Sequence, residues 1–314
     1  MNTQSLMIRR ITPWLCTVVV SWSFGFWFNQ QFPTPDGQWL RWLYEHKKER
    51  LISSRGKPRL IILGGSGTFF GIDSELLEKQ LGFTVVNAGV HAGLGLNATL
   101  NLFIQEIQSG DQVVIIPEYG MLVNPNGVGE LSSMLGGAIS RPTLGARTPL
   151  QVLEEGLAAG RPGLTSIAFT LNRITGSTQH QKGYDQLMNR YGDAQQIPEG
   201  QFSVAPVWRS GRQNPSPHGL NQLRSFRQQV EEKGGQLTIA LPWLLAKPEP
   251  ENKFQIQQDL QVLQEIAPVL FNSETLNAQS DVSLFSDTAY HLSVKGRRIR
   301  TQELAEQLKV RLQP

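Results

Sequence analysis

The chain has 314 residues, of which 39% are hydrophobic and 18% charged, and its formal net charge is +3. This composition is typical of a globular protein and argues against a disordered one. The weak positive charge, with no basic stripe interleaved with aromatic residues, argues against a nucleic-acid partner. The single cysteine, Cys16, excludes an internal disulfide and a multi-cysteine metal site.

The N-terminal region carries a long uncharged segment. Residues 11–28 contain no charged side chain, and as a helix they would span about 27 Å, enough to cross a bilayer core. Arg9 and Arg10 precede the segment, whereas Arg41 is the first basic residue after it. The positive-inside rule therefore predicts a single-pass protein of the cell membrane whose globular domain is extracytoplasmic, or periplasmic. A cleaved signal peptide is the alternative interpretation.

The rest of the chain alternates apolar runs with helical patterns. We predict a membrane anchor over residues 1–30, a juxtamembrane helix and linker over 31–57, and an α/β domain over 58–314. Five strands are predicted, at residues 60–63, 84–89, 112–117, 236–242 and 268–271. Their alternation with helices predicts a mostly parallel five-stranded sheet covered on both faces. Residues 121–232 break the pattern and are predicted to be a long insertion after the third strand, overhanging the edge where ligands bind.

One serine is surrounded by glycines directly after the first strand. Gly64, Gly65 and Gly67 flank Ser66, and glycine accepts backbone angles that other residues avoid. The pattern predicts a sharp turn that holds the Ser66 hydroxyl at the carboxyl end of the strand, and the amphipathic spacing of Ser74–Leu81 predicts a helix after it. A serine in a turn is also an ordinary capping residue, so a nucleophile requires a base as well.

A candidate base lies near the C-terminus. Asp287 and His291 are four residues apart, which would place them on one face of a helical turn. We predict that His291 takes the proton of Ser66 and that Asp287 orients the imidazole. The main-chain N–H groups of Ser66 and Gly89 are predicted to bind the oxyanion. No metal-ligand spacing is present, and no cofactor is expected.

Three short segments together resemble the SGNH (GDSL-type) hydrolase superfamily. They are residues 64–74, the block Asn87-Ala-Gly89 and residues 287–292, and the segment Tyr191-Gly-Asp193 also resembles one found in some members of the subgroup named next. The chain is most similar to the membrane-anchored, DltD/AlgJ-like subgroup, which is associated with acylation of cell-surface polymers. The resemblance implies a flavodoxin-like three-layer α/β sandwich with a serine nucleophile, a histidine base and an aspartate partner. It also implies that Gly89, with Asn87 in the same block, serves the oxyanion or the substrate.

Two departures from the family pattern concern the same site. The family usually has an asparagine after the third strand that donates to the oxyanion, and here Glu118 and Tyr119 follow that strand. An ionised Glu118 cannot donate a hydrogen bond, so the donor would be the Tyr119 hydroxyl or a protonated Glu118. The spacing from Asp287 to His291 is four instead of the usual three.

Three functions are compatible with the sequence. The first is a membrane-anchored serine esterase or O-acyltransferase, for instance an acetyltransferase, acting on an acylated glycan or another ester of the cell envelope. The second is a non-catalytic SGNH-like protein that binds a polymer or partners a membrane acyltransferase. The third is dinucleotide binding, from the loose glycine pattern over residues 65–71. Phe69 and Phe70 argue against it, since they stand where the backbone should approach a pyrophosphate.

Overall fold

The computed structural model describes residues 3–160, 171, 174–175, 188–197, 214–246 and 250–312. The chain forms two compact units, one of Met1–Trp42 with Glu130–Asp185 and the other of Leu43–Gly129 with Gln186–Pro314. The predicted insertion, residues 121–232, is therefore divided between the two units. Parts of that insertion, residues 161–170, 172–173, 176–187 and 198–213, lie outside the described residues.

The regular elements are as follows, in chain order. The described helices are α1 (Thr3–Gln31), α2 (Pro35–Ser53), α3 (Ser66–Gly71), α4 (Ser74–Leu81), α5 (Gly95–Leu102), α6 (Tyr119–Val123), α7 (Ser132–Ala138), α8 (Pro149–Ala159), α9 (Pro217–Glu232), α10 (Pro250–Gln264) and α11 (Val294–Leu312). The described strands are β1 (Arg59–Gly64), β2 (Thr84–Gly89), β3 (Gln112–Ile116), β4 (Gln236–Ala240), β5 (Leu244–Leu245), β6 (Val269–Leu270) and β7 (Ala278–Gln279).

Five strands form the main sheet, in the order β2-β1-β3-β4-β6. Each neighbouring pair is parallel. When the strands of this sheet are counted alone, the order is 2-1-3-4-5, which is that of a doubly wound sheet with a ligand-binding crevice at the carboxyl ends of its strands. The predicted α/β fold with a five-stranded, mostly parallel sheet is confirmed. The short pair formed by β5 and β7 was not predicted.

Helices cover the sheet on both faces. Every residue of β1 is buried, as expected for a central parallel strand with no face open to water. One face packs against α4 and α11 through an apolar cluster that includes Leu60, Leu77 and Leu304. Ile61 and Leu63, the alternate residues of β1, are buried as well, so the opposite face is also covered.

A buried ion pair fixes the amino end of the central strands. Arg59, the first residue of β1, donates from Nε to Asp111 Oδ1 at 2.8 Å and from Nη2 to Asp111 Oδ2 at 2.5 Å. The same guanidinium donates to the main-chain oxygens of Leu51 and Glu106. Every hydrogen bond of this guanidinium is made within the protein. The Arg59–Asp111 pair therefore ties β1 to the turn before β3. The catalytic candidates lie at the other end of these strands.

The helix α1 contains the predicted membrane segment. An 18-residue window within Ile11–Gln31 has a mean hydropathy of 1.3, and 6% of that window is buried. By length and composition this helix can cross a membrane.

Candidate active site

Ser66 begins α3 immediately after β1 ends at Gly64. The turn is tight because neighbouring groups occupy the space that side chains would need. A Cβ on Gly65 would lie 2.5 Å from Glu118 Oε1, and one on Gly67 would lie 3.2 Å from Tyr290 Cβ. The glycines are therefore required for close approach of other side chains to the serine. The predicted strand and turn are present, whereas the short helix that begins at Ser66 was not predicted.

Glu118 closes one side of this turn. It follows β3, and its side chain is buried. Its Oε1 accepts a hydrogen bond from the Gly67 N–H at 2.9 Å and a longer one from Ser66 Oγ at 3.5 Å. A carboxyl group therefore stands at the first turn of α3, where an oxyanion would also seek N–H donors.

Burial raises the pKa of Glu118 above its ordinary value. The hydrogen bond from Gly67, the charge of His291 and the hydrogen bond from Ser66 each act to lower this pKa, but burial outweighs them. The carboxyl group thus keeps its proton to a higher pH than an exposed glutamate does. In the protonated form it has one O–H that can donate.

His291 and Asp287 form the predicted pair, but not in a helix. His291 Nδ1 and Asp287 Oδ1 are 2.7 Å apart. The segment between them is a bend closed by a bridge between Phe285 and Leu292, and Thr288 Oγ1 accepts from the His291 N–H at 3.0 Å. The prediction of a helical turn is therefore wrong, because the Phe285–Leu292 bridge and the hydrogen bond to Thr288 shape this segment as a loop.

The electrostatics of the pair favour an ionised aspartate. Partial burial acts to raise the pKa of Asp287, whereas the hydrogen bond and charge of His291 lower it, and the net shift is downward. With Nδ1–H donated to Asp287, the other ring nitrogen, Nε2, carries the lone pair that a base needs.

The loop that carries His291 lies against the helix that begins with Ser66. The His291 ring contacts the Phe70 ring with centroids 4.5 Å apart, and Tyr290 lies beside Gly67. The charge of His291 also acts on Glu118. In the described part of the chain Ser66 Oγ is hydrogen-bonded to Glu118 and not to His291. Ser66, Glu118 and the His291–Asp287 pair thus share one site.

The block Asn87-Ala-Gly89 at the end of β2 braces α3 from the other side. Gly89 donates its N–H to Asn87 Oδ1 at 3.0 Å, and Asn87 Nδ2 donates to Thr68 O at 3.1 Å. A Cβ on Gly89 would lie 2.7 Å from the main-chain nitrogen of Phe69. The N–H of Gly89, predicted as an oxyanion donor, is therefore already engaged within the protein. Tyr119 begins α6 with its side chain buried, and its hydroxyl as a donor stays a prediction.

Asp193 connects this bracing to α4. It accepts from Asn87 Nδ2 at 2.9 Å, and it accepts from both the N–H and the hydroxyl of Ser74, at 2.9 and 2.6 Å. Arg297 of α11 lies 3.3 Å from the same carboxylate. The segment Tyr191-Gly-Asp193, singled out from the sequence, thus has a structural role beside the site.

Lys47 is a buried residue that the sequence analysis did not identify. Its Nζ donates to Asn87 O at 2.8 Å and to Gly192 O at 2.7 Å, and it lies 4.6 Å from the centroid of the Phe69 ring. Burial lowers the pKa of Lys47 to about 7, although the charge of Asp193 acts to raise it. Helical spacing could have revealed this residue, since Leu43 and Leu51 lie four residues to either side and are buried too.

A small cavity lies beneath the serine turn. Its volume is about 20 Å³, and its lining includes Gly67, Glu118, Tyr290 and Arg300. A space of this size holds a water molecule. Within the described ranges no group of three His, Cys, Asp or Glu side chains is arranged to hold a metal ion.

Comparison with known protein families finds no match, and comparison with curated proteins finds none either. A functional interpretation therefore depends on the chemistry of this site.

Proposed function

We propose that the protein is a membrane-anchored serine esterase or O-acyltransferase of the SGNH type, with Ser66 as the nucleophile. His291 is the general base, and Asp287 holds its imidazole in the required tautomer. A general base can act if substrate binding brings it within hydrogen-bond reach of the nucleophile, even when the two groups are not hydrogen-bonded in the free protein. The SGNH-type fold, the extracytoplasmic location of the globular domain and an acylated glycan or other envelope ester as substrate are parts of this proposal.

In the first step Ser66 Oγ attacks the acyl carbon of an ester while its proton passes to Nε2 of His291. The carbonyl oxygen becomes an oxyanion beside the N–H groups of the first turn of α3. When the intermediate collapses, the bond to the alkoxide breaks, and the alkoxide takes the proton from His291. Water or a sugar hydroxyl then gives its proton to His291 and attacks the acyl carbon. When this second intermediate collapses, the bond to Ser66 Oγ breaks, Oγ takes the proton back from His291, and the carboxylic acid or the new ester leaves.

The observation that supports the proposal best is the shared neighbourhood of two distant segments. Ser66 begins α3, and His291, which forms a 2.7 Å contact with Asp287, lies with its ring against Phe70 of the same short helix. A nucleophile, a base and an orienting carboxylate are the components that acyl transfer requires. More than 220 residues of sequence separate these segments, so local chain geometry does not account for their meeting.

An envelope or surface glycan is the proposed carrier of the acyl group, because the resemblance is to proteins that acylate surface polymers and because α1 can anchor the chain to a membrane.

A fluorophosphonate probe tests the nucleophile directly. We expect the full-length protein in detergent to become labelled on the peptide that contains Ser66. The Ser66→Ala variant should lose the label, and the control variant Ser225→Ala, on the exposed side of α9, should keep it. Equal labelling of wild type and Ser66→Ala would overturn the proposal.

One observation favours a second candidate, a non-catalytic domain that binds a polymer or partners a membrane acyltransferase. The Gly89 N–H is engaged by Asn87 and the Gly67 N–H by Glu118, so the resting site offers few oxyanion donors. Turnover of p-nitrophenyl acetate separates the two candidates. A rate above that of Ser66→Ala supports the enzyme, and equal rates support the accessory protein.

A further inference from the structure

The helix α8 presents an apolar stripe that no described residue of its own unit covers. Leu150, Leu153 and Leu157 follow the spacing i, i+3, i+7 of one helix face, and they are 63%, 57% and 48% exposed. Single exposed leucines are ordinary on protein surfaces, but three in a row on one helix are typical of an interaction surface.

The opposite side of α8 is fixed by a buried carboxylate. Glu155 accepts hydrogen bonds from the main-chain N–H groups of Gly145 and Ala146, at 2.9 and 2.7 Å to the nearer oxygens, and also from the hydroxyl of Ser132. Rotating α8 to bury its leucines would break these hydrogen bonds and leave the Glu155 carboxylate either exposed to water or buried without its donors. The hydrogen bonds of Glu155 therefore hold α8 in the orientation that exposes the three leucines.

The same helix packs directly on the candidate membrane span. Trp22 Nε1 of α1 donates to Gly156 O at 2.8 Å, and Asn29 Nδ2 donates to Ala159 O at 2.9 Å. A Cβ on Gly160 would overlap the Trp22 indole. The Trp22 ring therefore occupies the space that a side chain on Gly160 would need, so α1 and α8 approach closely at this point.

The contacts place α8 at the depth of a membrane interface. Trp22 and Asn29 are seven residues apart, which is about 10 Å along the axis of α1. They lie in the C-terminal half of the span Ile11–Gln31. The 11 residues of α8 cover about 16 Å, too short to cross a bilayer. Glu154 is exposed beside the stripe, which keeps that edge of the helix near the headgroups.

We propose that α8 lies in the outer-leaflet interface of the lipid bilayer beside α1, with Leu150, Leu153 and Leu157 directed into the acyl chains. A bilayer is favoured over a protein partner because the stripe belongs to a helix hydrogen-bonded to the span itself, at an interfacial depth. Amphipathic helices of this kind bury their apolar face about 5–10 Å below the headgroups. The protein would then contact the membrane through two helices. This inference rests on α1 crossing the membrane and not on the chemistry of Ser66.

Spin labels on the full-length chain test this proposal. In a Cys16→Ser background, single cysteines replace Leu153 or Leu157, with Val19 of α1 as the lipid control and Ser225 of α9 as the water control. Each labelled protein is placed in nanodiscs at one copy per disc. Collisions of the label with dissolved oxygen and with a water-soluble nickel chelate are measured by power saturation.

We expect the labels at Leu153 and Leu157 to collide severalfold more often with oxygen than with nickel, as at Val19, and the label at Ser225 to show the reverse. Nickel collisions as frequent as at Ser225 would place the stripe in water and overturn the proposal. Few collisions with either reagent would indicate a protein contact and overturn it as well, and so would nickel access at Val19. Ser66→Ala in the same background should leave all these values unchanged, so failure here is distinct from failure of the proposed esterase.

Discussion

Glu118 is the residue on which the chemistry of the site depends most. Its Oε1 faces Ser66 and Gly67, the charge of His291 acts on it, and Arg300 lines the same small cavity. An ionised carboxylate there opposes the negative charge that develops in acyl transfer, whereas a neutral carboxyl or an amide does not. The charge state of Glu118 should therefore govern the rate.

Replacing Glu118 with glutamine should change the pH profile of the reaction. Because burial raises the pKa of Glu118, the proposed esterase activity of the wild type should fall as pH rises through that pKa and the carboxyl group ionises. We expect kcat/KM for p-nitrophenyl acetate to fall by about 10- to 100-fold across this ionisation. The Glu118→Gln variant, neutral at every pH, should keep its activity over the same range.

The control is Glu75→Gln, since Glu75 is exposed and paired with Lys79, and it should retain the wild-type profile. If Glu118→Gln is inactive at all pH values yet folded, then ionised Glu118 is itself needed, as a base for Ser66, and the prediction is wrong.

The strand–turn–helix element that carries Ser66 could be predicted from sequence because its signals are local. A continuous apolar run marks a strand buried on both faces, and the glycines mark the turn. The amphipathic spacing of Ser74–Leu81 gave α4 with the boundaries observed. What holds this element in place is not local. Asn87 and Gly89 of β2 contact α3 from outside this element. Such contacts between distant residues produce no periodic pattern in the sequence, so they could not be predicted from it.

A methyl group at Gly89 should destabilise this element. The added Cβ of Gly89→Ala would lie 2.7 Å from Phe69 N and 2.8 Å from two carbon atoms of Thr68. Overpacking of a buried site costs about 1–3 kcal/mol, which chemical denaturation of the full chain in detergent should reveal as a lower midpoint.

Gly120→Ala is the matched control, because nothing lies within 4 Å of its Cβ position and alanine favours a helix over glycine by up to about 1 kcal/mol. It should be neutral or stabilising. Equal midpoints for Gly89→Ala and wild type would show that α3 can move away from β2 without cost.

At the scale of the whole molecule, the sequence predicts the sheet but not the division of the chain into units. Strands and helices have periodic patterns, whereas the assignment of residues 130–185 to the N-terminal unit depends on long-range contacts. The two-residue strands β5 and β7 are too short to show alternation. Asp287 and His291 were paired by their spacing, but the loop that joins them is shaped by Phe285 and Leu292, which the spacing does not encode.

The buried Lys47 shows how such long-range contacts affect global stability. It bonds the main-chain oxygens of Asn87 and Gly192, which requires two N–H donors, and a neutral amine supplies both. Its pKa is lowered to about 7 in the folded protein, against about 10.4 in an unfolded chain. Between these values the unfolded chain binds more protons than the native one, so stability should rise with pH.

Lys47→Met should remove this rise. Relative to the variant, we expect the wild type to gain up to about 1.4 kcal/mol of unfolding free energy per pH unit between about pH 7 and 10, measured by denaturant titration at fixed ionic strength. The slope is the diagnostic quantity, because the methionine also leaves two carbonyl groups without a donor and lowers stability at every pH. Lys48→Met is the control, since Lys48 is 41% exposed and lies 3.9 Å from Glu106, and it should preserve the wild-type slope. Parallel curves for wild type and Lys47→Met would mean that Lys47 stays charged in the fold, with its two carbonyl partners and the Phe69 ring sufficient to hold the ammonium.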